Sequence, residues 1–278
     1  MDMLDRDEIA RAIQARHLCT SLSVAEIVRP LDRVADVDAR LRALQFDAAP
    51  VLEASEPVGI FHAGRAGEGQ VVRDVMQPLS AAMMVSADTA VGELAQELCR
   101  EPFLFVLKGS RVIGFLTPAD LGSAPARTHN YLLLAAVEIL LASLLRDVHP
   151  DQSTALELLG PGARKRHART VADLRLKDEF LDDVAALSLA DLILLAGKYP
   201  EFREEACRGG RGWNWLQDGI VSFRDDVMHP ARDFTRATGS RIQKLADFDS
   251  RLKTLARAAE ACMARRRQTE ANASPASH

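Results

Sequence analysis

Cysteine is scarce and scattered in this 278-residue chain: Cys19, Cys99, Cys207 and Cys262 form no CxxC pair and no Cys/His ligand spacing. That leaves no basis for a zinc ribbon or a disulfide framework, and a reduced, cytoplasmic protein is the expectation. The N-terminus, MDMLDRDEIA, lacks the basic-then-apolar order of an export signal. Long apolar runs are missing too. The most apolar stretch, Tyr131 to Leu145, is shorter than a bilayer span and contains Glu138, so it is expected as a buried core helix with no membrane role. No cluster of carboxylates or histidines has metal-ligand spacing, and no cofactor loop is apparent, so neither a metal nor a cofactor for chemistry is expected. Basic charge is not in excess either: 35 Lys+Arg face 39 Asp+Glu, a net of -4, which argues against a dedicated nucleic-acid-binding protein.

That sum hides an asymmetry. Residues 1–126 carry 12 Lys+Arg and 18 Asp+Glu, a net of -6, whereas residues 127–278 carry 23 and 21, a net of +2. With 47% hydrophobic and 27% charged residues the chain reads as soluble and globular, and its length exceeds what one core usually organises, so two domains are expected. β-type alternation stops near residues 122–128 and helical spacing begins there. The expected class is α+β, with small sheets and helices in the first half and an all-α bundle in the second.

The first half contains a repeat. VAEIVRPL from Val24 and VRDVMQPL from Val72 stand 48 residues apart and share an apolar-acidic-apolar pattern ending in Pro-Leu. Each is followed by a helical stretch (ADVDARLRAL, AVGELAQEL), a strand (APVL, FLFVL), a turn and another strand (PVGIF, RVIGFL). The order reads strand, helix, strand, turn, strand, twice. In this register the first copy lacks about seven residues that the second fills with SAAMMVSA.

These residues resemble a tandem pair of CBS domains, a Bateman module, over residues 23–125, with copies at 23–65 and 71–125 and a helical lead-in at 1–22. The second copy carries the better match, in DVMQP and in the closing Gly114, Thr117, Asp120 and Leu121 of SRVIGFLTPADL. The resemblance implies an adenine nucleotide (AMP, ADP or ATP) held by Thr117 at phosphate and by Asp120 on the ribose hydroxyls. A carboxylate suits that role because it accepts from two neighbouring hydroxyls at once. In the first copy His62 stands where Thr is expected and no Asp follows, so one site is expected. Thr117 before Pro118 also fits a plain helix cap, and both readings stand at this point.

In the second half, helices are expected over about Tyr131 to Asp147, VADLRLKDEFLDDVAAL, LADLILLAGKYPEF, WNWLQDGIVSFRDDVMH and SRIQKLADFDSRLKTLARAAEACMARRR, a bundle of about five across 128–266. A disordered tail is expected at 267–278. GPGARKRHART reads as a polar loop whose Arg164, Lys165, Arg166 and His167 are candidate contacts for an RNA phosphate backbone, although no aromatics interleave with them. Of Trp213 and Trp215, two positions apart, at least one is expected in the core. Leu216, Ile220, Phe223 and Val227 form one apolar stripe with Arg224 at its rim beside Trp213. His229 precedes Pro230, so the helix is expected to end there and the imidazole to turn back towards Arg224.

Arg224, four residues, then His229, with Asp225 after the Arg, resembles the HEPN family of all-α domains, many of them metal-independent ribonucleases with a site assembled across a homodimer. The resemblance implies His229 as general acid/base in attack of a 2′-OH on phosphate. Arg224 would stabilise the phosphorane and Asp225 would orient a partner's Arg or His. The alternative is a dimerisation bundle in which Arg224 pairs with an acidic neighbour and His229 caps a helix. The combined expectation is a regulatory protein of bacterial type: a homodimer in which a CBS pair senses an adenine nucleotide and controls a helical domain. That domain is either a metal-independent endoribonuclease acting on RNA or a non-enzymatic unit that binds a partner protein.

Overall fold

The computed structural model describes residues 12–229 and 239–273. These form two compact units. One holds residues 12–129 and 239–246, the other 130–229 and 247–273. The first unit is α+β. A helical turn α1 (Ala15–Leu18) and strand β1 (Thr20–Ser21) precede α2 (Val34–Leu44), β2 (Ala48–Glu53) and β3 (Glu56–His62). The series then recurs as α3 (Val72–Val75), β4 (Gln77–Pro78), β5 (Met84–Ser86), α4 (Val91–Arg100), β6 (Leu104–Lys108) and β7 (Arg111–Leu116). The helices and hairpins fall where the 3.6-residue and two-residue periods predicted them. Two sheets result, ordered β2-β3-β4 and β1-β7-β6-β5.

The register of the repeat differs from the expected 48 residues. α1 and α3 start 57 residues apart, and so do β1 and β4, and α2 and α4. Val28 bridges Val51 in parallel just as Val85 pairs with Val106. VRDVMQPL therefore corresponds to ARHLCTSL, from Ala15, and the seven-residue gap disappears. VRDV is also a helical turn and not a strand. Matching Pro-Leu ends concealed this because the shared feature is a backbone task performed by unlike side chains. Gln14 N–H donates to His17 Nδ1 at 3.0 Å, and Val71 N–H donates to Asp74 Oδ2 at 3.2 Å. The repeat accordingly reaches back to Gln14, into the stretch expected as a lead-in.

Each leader docks on the sheet of the other copy. β1 runs antiparallel to β7 and β4 antiparallel to β3, while Gln14 bridges Ala90 and Val71 bridges Arg33. The exchange is reciprocal, and it relies on two glycines at corresponding places. A Cβ on Gly114 would fall within 3.0 Å of the Thr20 carbonyl oxygen, and one on Gly59 equally close to that of Gln77. Only hydrogen fits beside those backbones. Beneath the sheets lie Val28, Val34, Val37, Leu41, Val51, Phe61 and Val72, and separately Ile60, Met83, Phe103 and Phe105. Burying each such side chain stabilises by about 1.5–3 kcal/mol before entropy is set against it.

The second unit is helical, and the boundary falls inside α5 (Ala124–Val148), between residues 129 and 130. Leu133, Leu134, Val137, Leu140, Leu141, Leu144 and Leu145 are all buried, as the apolar run predicted. α6 (Gln152–Glu157), α7 (Pro161–Leu176), α8 (Leu189–Ala196), α9 (Pro200–Cys207), α10 (Trp213–Gln217), α11 (Ile220–Met228) and α12 (Gly239–Ala273) follow. That makes eight helices in the second half among the described residues, where about five were expected. The polar stretch read as a loop is the first half of α7: Gly160 ends the preceding segment and Pro161 takes the first helical position, which needs no N–H. The helix stops at Leu176, so 177–187, expected to be helical, are not. WNWLQDGIVSFRDDVMH is interrupted at Gly219, whose φ of 71° lies in the left-handed region. α12 continues through Ala273, so 267–273 are helical and only 274–278 of the expected tail lie outside the described residues.

Candidate functional site

β7 delivers the chain to Thr117, which is extended (φ -128°, ψ 167°) and opens a short 3-10 turn, Pro118–Gly122, with Pro118 at its start. Thr117 N–H donates to Asp120 Oδ2 at 2.7 Å and Thr117 Oγ1–H donates to the same oxygen at 2.9 Å. The cap reading is thus realised, and it uses Oδ2 alone. Burial pushes the Asp120 carboxyl up, against the opposing pull of the two bonds from Thr117. No Lys or Arg pairs with it among the described residues. A half-buried carboxyl with no cation beside it is held at a cost in stability, which marks candidate binding groups.

Sequence reasoning missed the segment beside it, in which Cys19 feels the Asp120 charge. Thr20 and Ser21 of β1 lie opposite Phe115 and Gly114 of β7, and Cys19 Sγ approaches the space above Gly114. Burial, and then the negative charge of Asp120, push the Cys19 thiol up. The corresponding place in the first copy is built differently. There His62 replaces Thr117 and Arg65 replaces Asp120, and the His62 ring bonds Gln77 Oε1 at 2.9 Å. Gln77 occupies the position of Thr20, and Arg65 pairs with Glu68 at 2.7 Å. In the first copy the Gly64 N–H, between His62 and Arg65, donates instead to the buried Asp38 carboxylate, with which Arg42 also pairs.

The helical unit holds the other candidates. Leu216, Ile220, Phe223 and Val227 are buried as one stripe despite the break at Gly219, and Phe223 stacks on Phe248 with ring centroids 4.4 Å apart. The break removes the helical relation between Arg224 and Trp213, which instead packs edge-on to Phe202 at 5.8 Å. Neither tryptophan is fully buried, contrary to expectation; the Arg211 and Arg251 guanidiniums lie 4.2 and 4.6 Å from the Trp215 ring. Arg224 is exposed, and its Nη1 lies 3.3 Å from Asp225 Oδ1. Its charge also reaches Glu138 on α5, whose carboxyl burial pushes up and Arg224 draws down. α11 ends at Met228, and His229 follows in a non-helical, exposed conformation. Arg224 and Asp225 thus pair with each other in the middle of α11, and His229 follows just beyond its end.

The basic run does not form one surface. Arg164, Lys165 and Arg166 are exposed, but His167 is buried and donates through Nε2 to the Asp183 carbonyl at 2.8 Å. Successive helical residues point about 100° apart, so four in a row cannot face one ligand. His167 is a core histidine tying α7 to the segment before α8.

No family model matches the chain, and no curated protein matches it. Among solved structures it is similar to the CBS domain of the bacterial CNNM/CorC family Mg2+ transporter in complex with ATP, at 20% identity over 41% of this chain and 87% of that one, with a TM-score of 0.36. It is similar to CBSX2 from Arabidopsis thaliana, at 19% identity over 43% and 96%, TM-score 0.36. A CBS domain-containing protein of unknown function from Bacillus anthracis gives 16% identity over 46% and 96%, TM-score 0.36.

Proposed function

We propose that residues 14–122 are a tandem CBS pair binding one adenine nucleotide per chain, at Asp120 and Thr117, and that occupancy controls the helical unit. The observation carrying this is the asymmetry within the exchanged repeat: Asp120 stands half-buried without a cation where the first copy has Arg65 paired with Glu68, and His62, bonded to Gln77, stands at the position of Thr117. Asp120 Oδ1, outside the cap, is the acceptor for the ribose hydroxyls, and the resemblance of Gly114, Thr117, Asp120 and Leu121 to the family motif supports adenine. Control requires that the nucleotide bind two states of the chain with different affinity. Calorimetry of the full chain with AMP, ADP and ATP is expected to give a stoichiometry of about one per chain. Absence of heat with all three overturns the reading.

A second reading concerns α11, and the exposure of Arg224 on the helix and of His229 just beyond its end favours it. Here the helical unit cleaves RNA without a metal, His229 moving the proton and Arg224 stabilising charge on the phosphorane. Cleavage in EDTA is expected to fall at least about 100-fold in both His229→Ala and Arg224→Ala, the scale of a lost general acid/base. Equal behaviour of wild type and both variants, including none, assigns the unit to partner binding.

A further inference from the structure

α7 is held to its unit by one narrow stripe. His167 and Val171 are buried, Ala163 and Leu174 half-buried, and the other twelve residues of the helix are exposed. Residues 158–160, a three-residue connection ending in Gly160, join it to α6, and Ala155 of α6 and Leu159 of the connection are buried. Two helices joined by three or four residues that include a glycine are an arrangement that presents the second helix to a groove of duplex DNA.

The charges of α7 are sorted around its axis. At about 100° per residue, Arg164 and Arg175 share one side of the outward surface and Lys165 and Arg169 the other, with a ridge of Ala168 and Ala172 between the two rows. This outward arc carries four cations and no carboxylate. Asp173, the one acidic residue of α7, lies on the remaining flank near Arg166, which pairs with Asp191 at 3.5 Å. Asp178 and Glu179 are beyond the helix, where Asp178 takes a left-handed φ of 57° and Glu179 N–H returns to the Leu174 carbonyl at 2.8 Å. The fold makes little use of these cations. Arg164, Lys165 and Arg169 form no ion pair among the described residues, and Arg175 lies over the Phe180 ring at 4.6 Å. Arg164 and Lys165, near the start of the helix, also oppose its dipole.

We propose that α7 lies in the major groove of double-stranded DNA. That groove is about 12 Å wide and admits a helix of about 10–12 Å diameter. The two rows of cations, about 110° apart around the axis, then face the phosphates of the two strands, and the alanine ridge lets the helix approach the groove floor. Other anionic partners suit the arc less well. Single-stranded RNA is held by stacking its bases on aromatic rings, and the arc has none. The major groove of duplex RNA is too deep and narrow to be entered. A membrane needs an apolar face to bury, and the apolar stripe of α7 is already turned into its own unit. A protein partner is anchored by large side chains at the centre of the contact, where α7 has alanines. None of these residues lies around Asp120 or on α11, so this inference stands or falls apart from the nucleotide and ribonuclease readings.

Fluorescence anisotropy of a labelled DNA duplex of about 20 base pairs, titrated with the full chain at about 50 to 200 mM salt, tests it. A dissociation constant of about 1–100 µM is expected, with the logarithm of affinity falling against that of salt at a slope of about -3 to -4, as four phosphate contacts require. The double variants R164A/R175A and K165A/R169A are each expected to weaken binding at least about tenfold and to reduce the slope by about two. Alanine suits a helix, so neither is expected to lower the thermal midpoint. Arg166→Ala, on the other flank, is expected to leave affinity within about twofold of wild type. No binding to the duplex at about 50 mM salt, or binding indifferent to both double variants, overturns the proposal. Tighter binding of a polyuridine oligonucleotide or of phosphatidylserine vesicles than of the duplex, lost in the same double variants, gives the arc to RNA or to a membrane and overturns it as well.

Discussion

Gly114→Ala is expected to loosen the N-terminal leader and cost the first unit about 1–3 kcal/mol, the range for forcing an extra carbon into a filled space. The added Cβ would sit within 3.0 Å of the Thr20 carbonyl oxygen, which is backbone and cannot swing aside as a side chain can. β1 must therefore shift away from β7, and Cys19 and Thr20 move from Asp120 with it. Thermal scans with and without ATP check both consequences: a lower midpoint and a smaller rise on adding nucleotide. Gly59→Ala meets Gln77 in the same way at the exchanged contact. It is expected to lower the midpoint similarly but to spare nucleotide affinity, because that contact carries no ligand. Gly162→Ala supplies the opposite sign. Its Cβ would meet nothing nearer than Arg166 Nη1 at 3.9 Å, and alanine in the first turn of α7 relieves about 0.5–1 kcal/mol of backbone entropy cost. Equal stability of Gly114→Ala and wild type would remove the close approach as the reason for glycine.

These glycines also show what the amino-acid pattern made legible and what it did not. Local periods revealed α2, α4 and both hairpins, because each buries one face with a fixed repeat. The repeat was detected but misaligned. Identity at Pro30-Leu31 and Pro78-Leu79 outweighed the true equivalence of Ala15–Leu18 with Val72–Val75, in which His17 and Asp74 receive the same backbone bond. α7 was hidden because Gly160-Pro161-Gly162 signals a turn as readily as a helix start. In the candidate site, Thr117 and Asp120 could be read because they lie three residues apart in one motif. Cys19 and Thr20 reach the same place from about a hundred residues away, through the exchange of leaders, and no local pattern announces that. His167 failed in the opposite direction: adjacency suggested a shared surface, and helical geometry turned it inward.

Asp120→Asn separates a cap from a binding group. Asparagine keeps an oxygen that can accept both bonds from Thr117, so the 3-10 turn should persist, while the negative charge that receives the ribose hydroxyls is lost. A hydrogen bond to a charged group is worth about 1.5–3 kcal/mol, so affinity for ATP is expected to fall at least about tenfold. Stability should move the other way, with a sign that depends on pH. Burial raises the Asp120 carboxyl above its ordinary value, so the folded chain holds this proton more tightly than the unfolded one. The stabilisation from that difference is fully present below the ordinary carboxylate range and is lost as pH rises through the raised value. Wild type therefore bears the cost of a desolvated carboxylate near neutrality, and Asp120→Asn does not. The variant's thermal midpoint, relative to wild type, is expected to climb between about pH 4 and pH 7 while ATP binding declines. A variant that loses stability at neutral pH and keeps its affinity would make Asp120 a cap and nothing more. Stability gained and binding lost in the same substitution is what a group positioned for a ligand, at the expense of its own fold, must give.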